Sequence, residues 1–518
     1  MKDVKNEVFS EKRKRTILSF LFSSVGIIFL MVLAEVVLLF IAFGKLYNYL
    51  LPLFGVLTII NIITISIMLS DENVNFEMKA TWTIIIFIMP LVGCVIYFFV
   101  NLDFLNNAYK KQVFSIERDT IENMSLNTST LDEIKSIPEL AQLHNYLSSS
   151  GNVGVYKNSY LKYFESGEAA FPQMLQELKS AKKSIYMEYF IIDEGYMWST
   201  ILDILLQKVS EGVDVRILYD ATCDFAKVPT NFYKKMQKLK IRCHKFAPLL
   251  PIVSPYYNYR DHRKLMIIDG ISCFTGGINI ADEYINKIDI YGYWKDTVIL
   301  IKGEAVKSYT LMFLQLFSLY EKDIDYQQIN QQYPVYQQKG YVIPYGDVPF
   351  DQYSVGKYVY MNILNNAKDY VYIMTPYFII DSELTNTIIN TALRGVDVRI
   401  ILPGVPDKRI VKEFACSRYK QLIDNKVKIY EFSEGFVHAK MMISDDIKAV
   451  VGTINMDYRS LYHHYENALY MYDCDEISAI KNDFQLTLDK SRLIGKDYKQ
   501  KFFYAILVKV IKFLEPLV

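Results

Sequence analysis

The feature that most constrains this chain is a long internal repeat. "HRKLMIID" at 262–269 and "VHAKMMISD" at 437–445 share one plan: His, one spacer, Lys, four spacers, Asp. The second histidine follows the first by 176 residues, and the surroundings repeat too. "YFIID" stands at 189–193 and 377–381, and "GVDVRI" at 212–217 and 395–400, at offsets of 188 and 183. A single HxKxxxxD arises by chance roughly a few hundredths of a time in a chain this long. Two copies with matching flanks indicate a duplicated domain.

Each copy reads as strand, helix, strand. "SIYMEYFII" (184–192) is a β-rich run, "STILDILLQKVSEG" has a helical pattern, and "VDVRILYD" (213–220) is a second strand. The unit returns as "YVYIMTPYFIID" (370–381), "LTNTIINTALRG" and "VDVRIILPG" (396–404). This alternation predicts an α/β fold of two duplicated domains, each a mixed, mostly parallel sheet flanked by helices, sharing one active-site cleft. The expected domains are 151–335 and 336–495. They are preceded by a membrane region (1–108) and a linker (109–150), and followed by an amphipathic segment (496–518).

The membrane region rests on three apolar runs, Thr16 to Phe43, Tyr49 to Leu69 and Trp82 to Val100, each long enough to cross a core of roughly 30 Å. Glu35 lies inside the first and is read as packed against a neighbouring helix. Lys12, Arg13, Lys14 and Arg15 favour a cytoplasmic N-terminus, which three crossings would follow with an external remainder. A re-entrant segment would keep the remainder cytoplasmic, as six scattered cysteines without metal or disulfide spacing suggest. Lys plus Arg and Asp plus Glu balance at 57 each, so no net field draws the chain to nucleic acid.

In a strand, His262 and Lys264 point to one side, as do His438 and Lys440. Each motif runs on into a glycine and asparagine turn, Gly276, Gly277 and Asn279 in "GGIN" and Gly452, Thr453 and Asn455 in "GTIN". A small residue there lets backbone approach a ligand, and Asn279 and Asn455 are assigned to phosphate oxygens. Two histidines and two lysines around one phosphate supply a nucleophile, an acid and charge stabilisation, with no metal or other cofactor called for. Asp296 in "GYWKDT", 34 residues after His262, and Glu466 in "HHYEN", 28 after His438, are assigned to orient the histidine of their own half. The candidate catalytic set is His262, Lys264, Asp269, His438, Lys440 and Asp445. Within it, the strand period turns Asp269 and Asp445 off the ligand, toward structural hydrogen bonds and ion pairs. His144, His244 and His463 read as surface or loop residues.

The paired motifs with their tails resemble the phospholipase D superfamily, and "RDHRKLMIIDG", "GGINIADEY", "GYWKDT", "PYFIID" and "GTINMDYRS" resemble its bacterial cardiolipin synthases. The likeness runs from about Trp82 to the C-terminus. It implies a multi-pass bacterial membrane enzyme that transfers a phosphatidyl group between two phosphatidylglycerol molecules, giving cardiolipin and glycerol. It implies His262 as nucleophile and His438 as acid and base. His464 and Tyr465 replace the Asn and Phe common before the acid, which makes His464 a residue supporting the site. Lys295 in "WKDT" replaces an arginine, which bears on a phosphate or ion-pair contact. A phospholipase D hydrolase or another phosphatidyltransferase is the alternative, with a nuclease or a non-enzymatic membrane scaffold behind it. "KDYKQKFFYAILVKVIKFLEPLV" (496–518) reads equally as an interfacial anchor or as a helix capping the second domain.

Overall fold

The computed structural model describes residues 33–35, 37, 47–72, 74–101, 103–121, 128–151, 153–225, 227–247, 259–322, 324–350 and 353–517. The duplication appears as two sheets of the same plan. In the first, the strands lie side by side as Tyr160–Phe164, Val298–Lys302, Ser272–Gly276, Lys264–Ile268, Ser184–Tyr189, Asp214–Asp220 and Arg242–Phe246. In the second the order is Tyr341–Asp347, His464–Tyr472, Lys448–Gly452, Met441–Ser444, Tyr370–Met374, Asp397–Pro403, Lys428–Phe432 and Ser491–Leu493.

The sheets are mixed, but the expectation of mostly parallel pairing is corrected. Only the strands joined through helices pair in parallel, Ser184–Tyr189 with Asp214–Asp220 and Tyr370–Met374 with Asp397–Pro403, each followed by one more parallel neighbour. The remaining in-sheet neighbours run antiparallel, because each motif strand returns through a tight hairpin rather than a crossover. Helices cover the faces. Tyr196–Ser210 buries Met197, Trp198, Ile201, Leu202 and Leu205 along one side, the spacing its sequence predicts. The helix Val306–Phe317 is buried nearly all round, and Phe313, Leu314 and Phe317 join a core that takes Leu265 and Ile299 from the first half and Met441 and Leu469 from the second.

Two short parallel ladders stitch the halves together. Arg260–Asp261 lies along His464–Tyr465, and Gly435–Val437 lies along Tyr293–Lys295. Lys295, which stands where an arginine was the more usual residue, forms a buried ion pair 2.8 Å from Asp483 of the second half. Within the 109–150 stretch, expected as a linker, the described residues include the end of the helix Asp103–Ile121 and the helices Thr128–Ile134 and Pro138–Ser150. Leu140, Leu143 and Leu147 repeat at helical spacing and are buried in the core of the second half.

The N-terminal expectation is corrected for the run from Trp82 to Val100, whereas the run from Tyr49 to Leu69 lies in one helix, Tyr47–Ser70, of 24 residues. Among the described residues, no helix is long and apolar enough to cross a membrane. The run from Trp82 to Val100 is two helices, Phe76–Ile88 and Pro90–Asn101, packed on each other. At 13 and 12 residues they extend about 20 Å and 18 Å, short of a bilayer core. Pro90 is the cause, because its ring excludes helical geometry at Met89, which sits at φ −129°, ψ 78°. Gly93 allows the close crossing, since a Cβ there would lie 2.9 Å from Ile85 O. The Thr16 to Phe43 run lies largely outside the described residues, but Glu35 is placed. It is buried, and it accepts the backbone N–H groups of Leu91 and Val92 at 3.2 Å, the free donors of a helix N-terminus. That is the packing role expected of it.

At the other end, both readings of the C-terminal segment find a counterpart. The helix Phe502–Ile511 exposes Phe502, Phe503, Ile506 and Val510 while burying Val508. Beyond it, Glu515 forms a buried two-bond pair with Arg418, at 3.0 and 2.7 Å. Thr81 of the N-terminal hairpin donates to Phe513 O at 2.6 Å, so this segment joins the hairpin to the second half.

Candidate active site

The motif strands begin at the interface between the halves. His262 and His438 each sit one residue past a stitching ladder, and that position fixes their partners. In the first ladder Arg260 is level with His464 and Asp261 with Tyr465, so the next step sets His262 beside Glu466. In the other, Val437 is level with Lys295, so the next step sets His438 beside Asp296. The hydrogen bonds follow that register. His262 Nδ1 lies 2.9 and 3.0 Å from the Glu466 carboxylate oxygens, and His438 Nδ1 lies 2.7 Å from Asp296 Oδ2. The backbone ties the same neighbours, with His262 N donating to Tyr465 O and His438 N to Lys295 O. Asp296 and Glu466 therefore contact the motif histidines as expected, but the expected pairing within each half is wrong. Each histidine takes its acid from the other half, because the ladders cross between the domains.

A carboxylate only accepts, so each acid favours a proton on the Nδ1 it faces and a lone pair on Nε2, and at His438 the same Nδ1 also lies 2.8 Å from Lys440 Nζ. Both histidines are buried, and burial together with the motif lysines holds both imidazoles well below their ordinary pKa, His438 down to about 4. The two acids differ. Burial raises Glu466 well above the usual carboxylate range. Burial also acts to raise Asp296, but His438, Lys440 and the Thr297 N–H outweigh it and leave the group below that range. Lys264 and Lys440 are buried beside them and donate to the carbonyls of their own histidines, Lys264 to His262 O at 2.7 Å. Burial lowers Lys264 to about 8 and Lys440 to about 7, and each lysine is held from falling further by Asp296 and Glu466.

The glycine and asparagine turns do a different job from the one expected. A Cβ on Gly277 would lie 1.9 Å from Asp296 Oδ1, so the glycine makes room for the carboxylate rather than for a ligand. Its counterpart Thr453 instead hydrogen-bonds the longer Glu466 side chain. Nothing in the motif spacing marks Thr453 as a contact of the acid. The asparagines are partly committed within their own halves. Asn279 accepts from Ile191 N at 3.0 Å and donates to Tyr284 Oη at 2.7 Å, and the Asn455 side chain hydrogen-bonds Asp457. Aromatic rings wall the histidines. Phe190 meets His262 edge-on at 5.0 Å, while Tyr284 and Trp294 flank His438.

Asp269 and Asp445 do not enter the site, which corrects their place in the candidate catalytic set and agrees with the strand-period reading. Each lies at the far end of its strand, about 16 Å from the motif lysine at the rise of extended chain. There each occupies the first central position of a hairpin turn, at φ 54° and 56°. Asp269 accepts from the backbone N–H groups of Lys182, Lys183 and Ser184, and Asp445 from those of Lys368, Asp369 and Tyr370. Asp269→Ala is expected to cost about 1–3 kcal/mol through these lost acceptors. Thermal unfolding should show that loss while the turnover of the folded fraction stays near wild type.

Of the other histidines, His144 and His244 contact Val153 O and Glu321 away from the site. His464 is at the site. It is buried, its ring centroid lies 5.5 Å from that of His262, and its Nδ1 is 3.6 Å from Glu466 Oε1. Among the described residues, His262, His464 and Glu466 can each offer one ligand atom within 4.8 Å of the others, a grouping that could hold a metal ion. Sequence spacing hides it because its members come from both halves.

With this geometry in place, comparison with known proteins is direct. Residues 174–314 and 360–487 match the family described as "Cardiolipin synthase, PLD-like domain", and residues 54–100 match "Phospholipase_D-nuclease N-terminal". The chain is 45% identical to an uncharacterized protein of Streptococcus mutans serotype c, across 84% of this chain and 96% of that one. It is 32% identical to the cardiolipin synthase of Alkalihalophilus pseudofirmus, across 92% of this chain and 96% of the relative. Among solved structures, phosphatidylserine synthase of Haemophilus influenzae shares the fold, with a TM-score of 0.55 at 15% identity, covering 69% of this chain and 95% of that one.

Proposed function

The chain belongs to the cardiolipin synthase family of phospholipase D-like phosphatidyltransferases, and from that premise we propose that it joins two phosphatidylglycerol molecules into cardiolipin and glycerol. One observation carries the reading: two buried histidines, each with Nδ1 held by a carboxylate and each with its own lysine alongside.

The chemistry follows from the atoms left free. His262 Nε2 attacks the phosphorus of the first lipid, and Lys264, Lys440 and the remaining amide hydrogens of Asn279 and Asn455 hold the non-bridging oxygens. His438, protonated on Nε2, gives that proton to the glycerol oxygen, and glycerol departs. The phosphatidyl group now rests on His262 as a phosphoramidate. The terminal hydroxyl of a second phosphatidylglycerol then attacks phosphorus, loses its proton to His438 Nε2 and frees His262. The division of labour is favoured by the unequal acids. Asp296, kept ionised, stabilises a proton on His438, whereas a Glu466 raised by burial leaves His262 a neutral nucleophile. No step calls for a metal.

We also place the enzyme at the membrane, through the outward apolar surface of Tyr47–Ser70, including Ile59, Ile62, Ile63 and Ile67, and through the exposed face of Phe502–Ile511. The reaction is tested by giving purified protein phosphatidylglycerol in vesicles, without nucleotide. Cardiolipin and free glycerol in equal amounts are expected. Phosphatidic acid alone would make the enzyme a hydrolase.

His438 and the lysines set the pH response. In the free enzyme kcat/KM is expected to fall as pH rises above about 4, where His438 loses the proton it gives to glycerol, and more steeply as Lys440 loses its proton near 7 and Lys264 near 8. A bound phosphodiester favours the charged lysines and a protonated His438, so the alkaline limb of kcat should lie higher. The two lysines do not cause the fall by unfolding the protein. Each lysine binds its proton more weakly folded than unfolded, so between these values and the ordinary 10.5 its contribution to stability grows with pH. Rate and melting profiles on one sample check both signs.

A further inference from the structure

His464 has no role in that mechanism, yet it is buried against the site. Its relative exposure is 8%, and neither ring nitrogen has a hydrogen-bond partner among the described residues. A buried imidazole without partners loses hydrogen bonds to water and gains none. Among the described residues, the carboxylate paired with it is Glu466, the acid of His262. Glu466 Oε1 lies between the two rings, 2.9 Å from His262 Nδ1 and 3.6 Å from His464 Nδ1. A tetrahedral ion with bonds of about 2.0–2.2 Å needs ligand atoms about 3.3 Å apart, and these two separations bracket that value.

We propose that His262, Glu466 and His464 form a three-ligand site for a transition-metal cation of the zinc class, and that filling it switches the enzyme off. Two imidazoles and one carboxylate are ligands such ions accept, with a fourth position left for water. Magnesium and calcium, which favour oxygen and higher coordination, are poorly served. Thr453 already fixes the other side of the Glu466 carboxylate, as a supporting contact does around a metal ligand. Cys223, Cys243, Cys273, Cys416 and Cys474 are buried and burial raises each thiol, so they do not compete for the ion.

Inhibition follows from the tautomer. To coordinate through Nδ1, His262 must move the proton on that atom to Nε2. Nε2 then has an N–H in place of the lone pair that attacks phosphorus. Glu466 binds the ion as the carboxylate and gives up any proton that burial holds on it, His262 itself releases none, and no bond to substrate changes. This consequence rests on the role of His262 proposed above, whereas the metal site itself does not.

The test uses the purified full chain and cobalt(II) as a visible probe. Wild type should gain the absorption of four-coordinate cobalt at a single equivalent. Zinc should bleach it and excess magnesium should leave it. His464→Asn should lose the band and His438→Asn should keep it. Zinc should slow cardiolipin formation, chelator should restore it, and His464→Asn should raise the zinc needed for half-inhibition at least about tenfold, each variant measured against its own uninhibited rate. Absence of the band in wild type, or an unchanged band in His464→Asn, overturns the proposal. Should that variant not fold, X-ray absorption of the zinc-loaded wild type decides: two imidazoles and a carboxylate uphold the site, and one imidazole or any sulfur overturns it. A cobalt band in a protein that makes no cardiolipin would leave the metal site standing and refute the proposed reaction.

Discussion

Substituting alanine for His262 should reduce cardiolipin formation by about 10⁴-fold or more, and His438→Ala should do the same with the natural lipid. The losses are alike in size because nucleophile and acid act as a unit, but they differ in kind. Without His438 the attacking Nε2 is still present and only protonation of the leaving oxygen is missing. A phosphodiester with an acidic phenol as leaving group needs no such proton, so His438→Ala should still release the phenol in a burst and hold the phosphoryl group on His262. His262→Ala should give neither burst nor adduct. A labelled adduct in His262→Ala, or rescue of both variants by the phenolic substrate, would reverse the assignment of the two histidines.

The second large effect distinguishes the crossed pairing from pairing within each half. Asp296→Asn removes the acceptor at His438 Nδ1, and Glu466→Gln removes the one at His262 Nδ1. Losing the carboxylate that fixes a catalytic tautomer costs on the order of 10³–10⁴ in rate. Asp296→Asn should therefore behave like a lesion of His438, rescued by the phenolic leaving group. Glu466→Gln should behave like a lesion of His262 and resist rescue. The opposite pattern would mean that each acid serves the histidine of its own half in the working enzyme.

This contrast marks the boundary of what the sequence could reveal. The repeat, the two motifs and the structural duty of Asp269 and Asp445 could be read directly, since each depends on spacing within one strand or one turn. The identity of Asp296 and Glu466 as partner acids could also be read from their matching places after the turns. Their crossed assignment could not. It depends on ladders of two and three residues, Arg260–Asp261 and Gly435–Val437, which are too short to leave a pattern and which pair with strands far away in the chain. The resemblance marked His464 as a residue supporting the site, but its neighbour could not be read, since that contact comes from lying beside His262, 202 residues earlier. The apolar run from Trp82 to Val100 misled in another way. Hydropathy counts apolar residues in a row, whereas Pro90 decides that the row folds into two short helices.

The crossed ladders also set when activity can arise during synthesis. His262 leaves the ribosome 204 residues ahead of Glu466, which at ordinary elongation rates is a delay of roughly ten to forty seconds. Through that interval the first half can complete its own sheet, but His262 has no carboxylate to fix its tautomer. His438 meets the mirror situation, since Asp296 is already waiting when it emerges. On the proposed mechanism, a nascent or truncated chain ending before residue 466 therefore carries a nucleophile that is not yet armed, and competence to break a phosphodiester comes only once the strand His464–Tyr472 has closed.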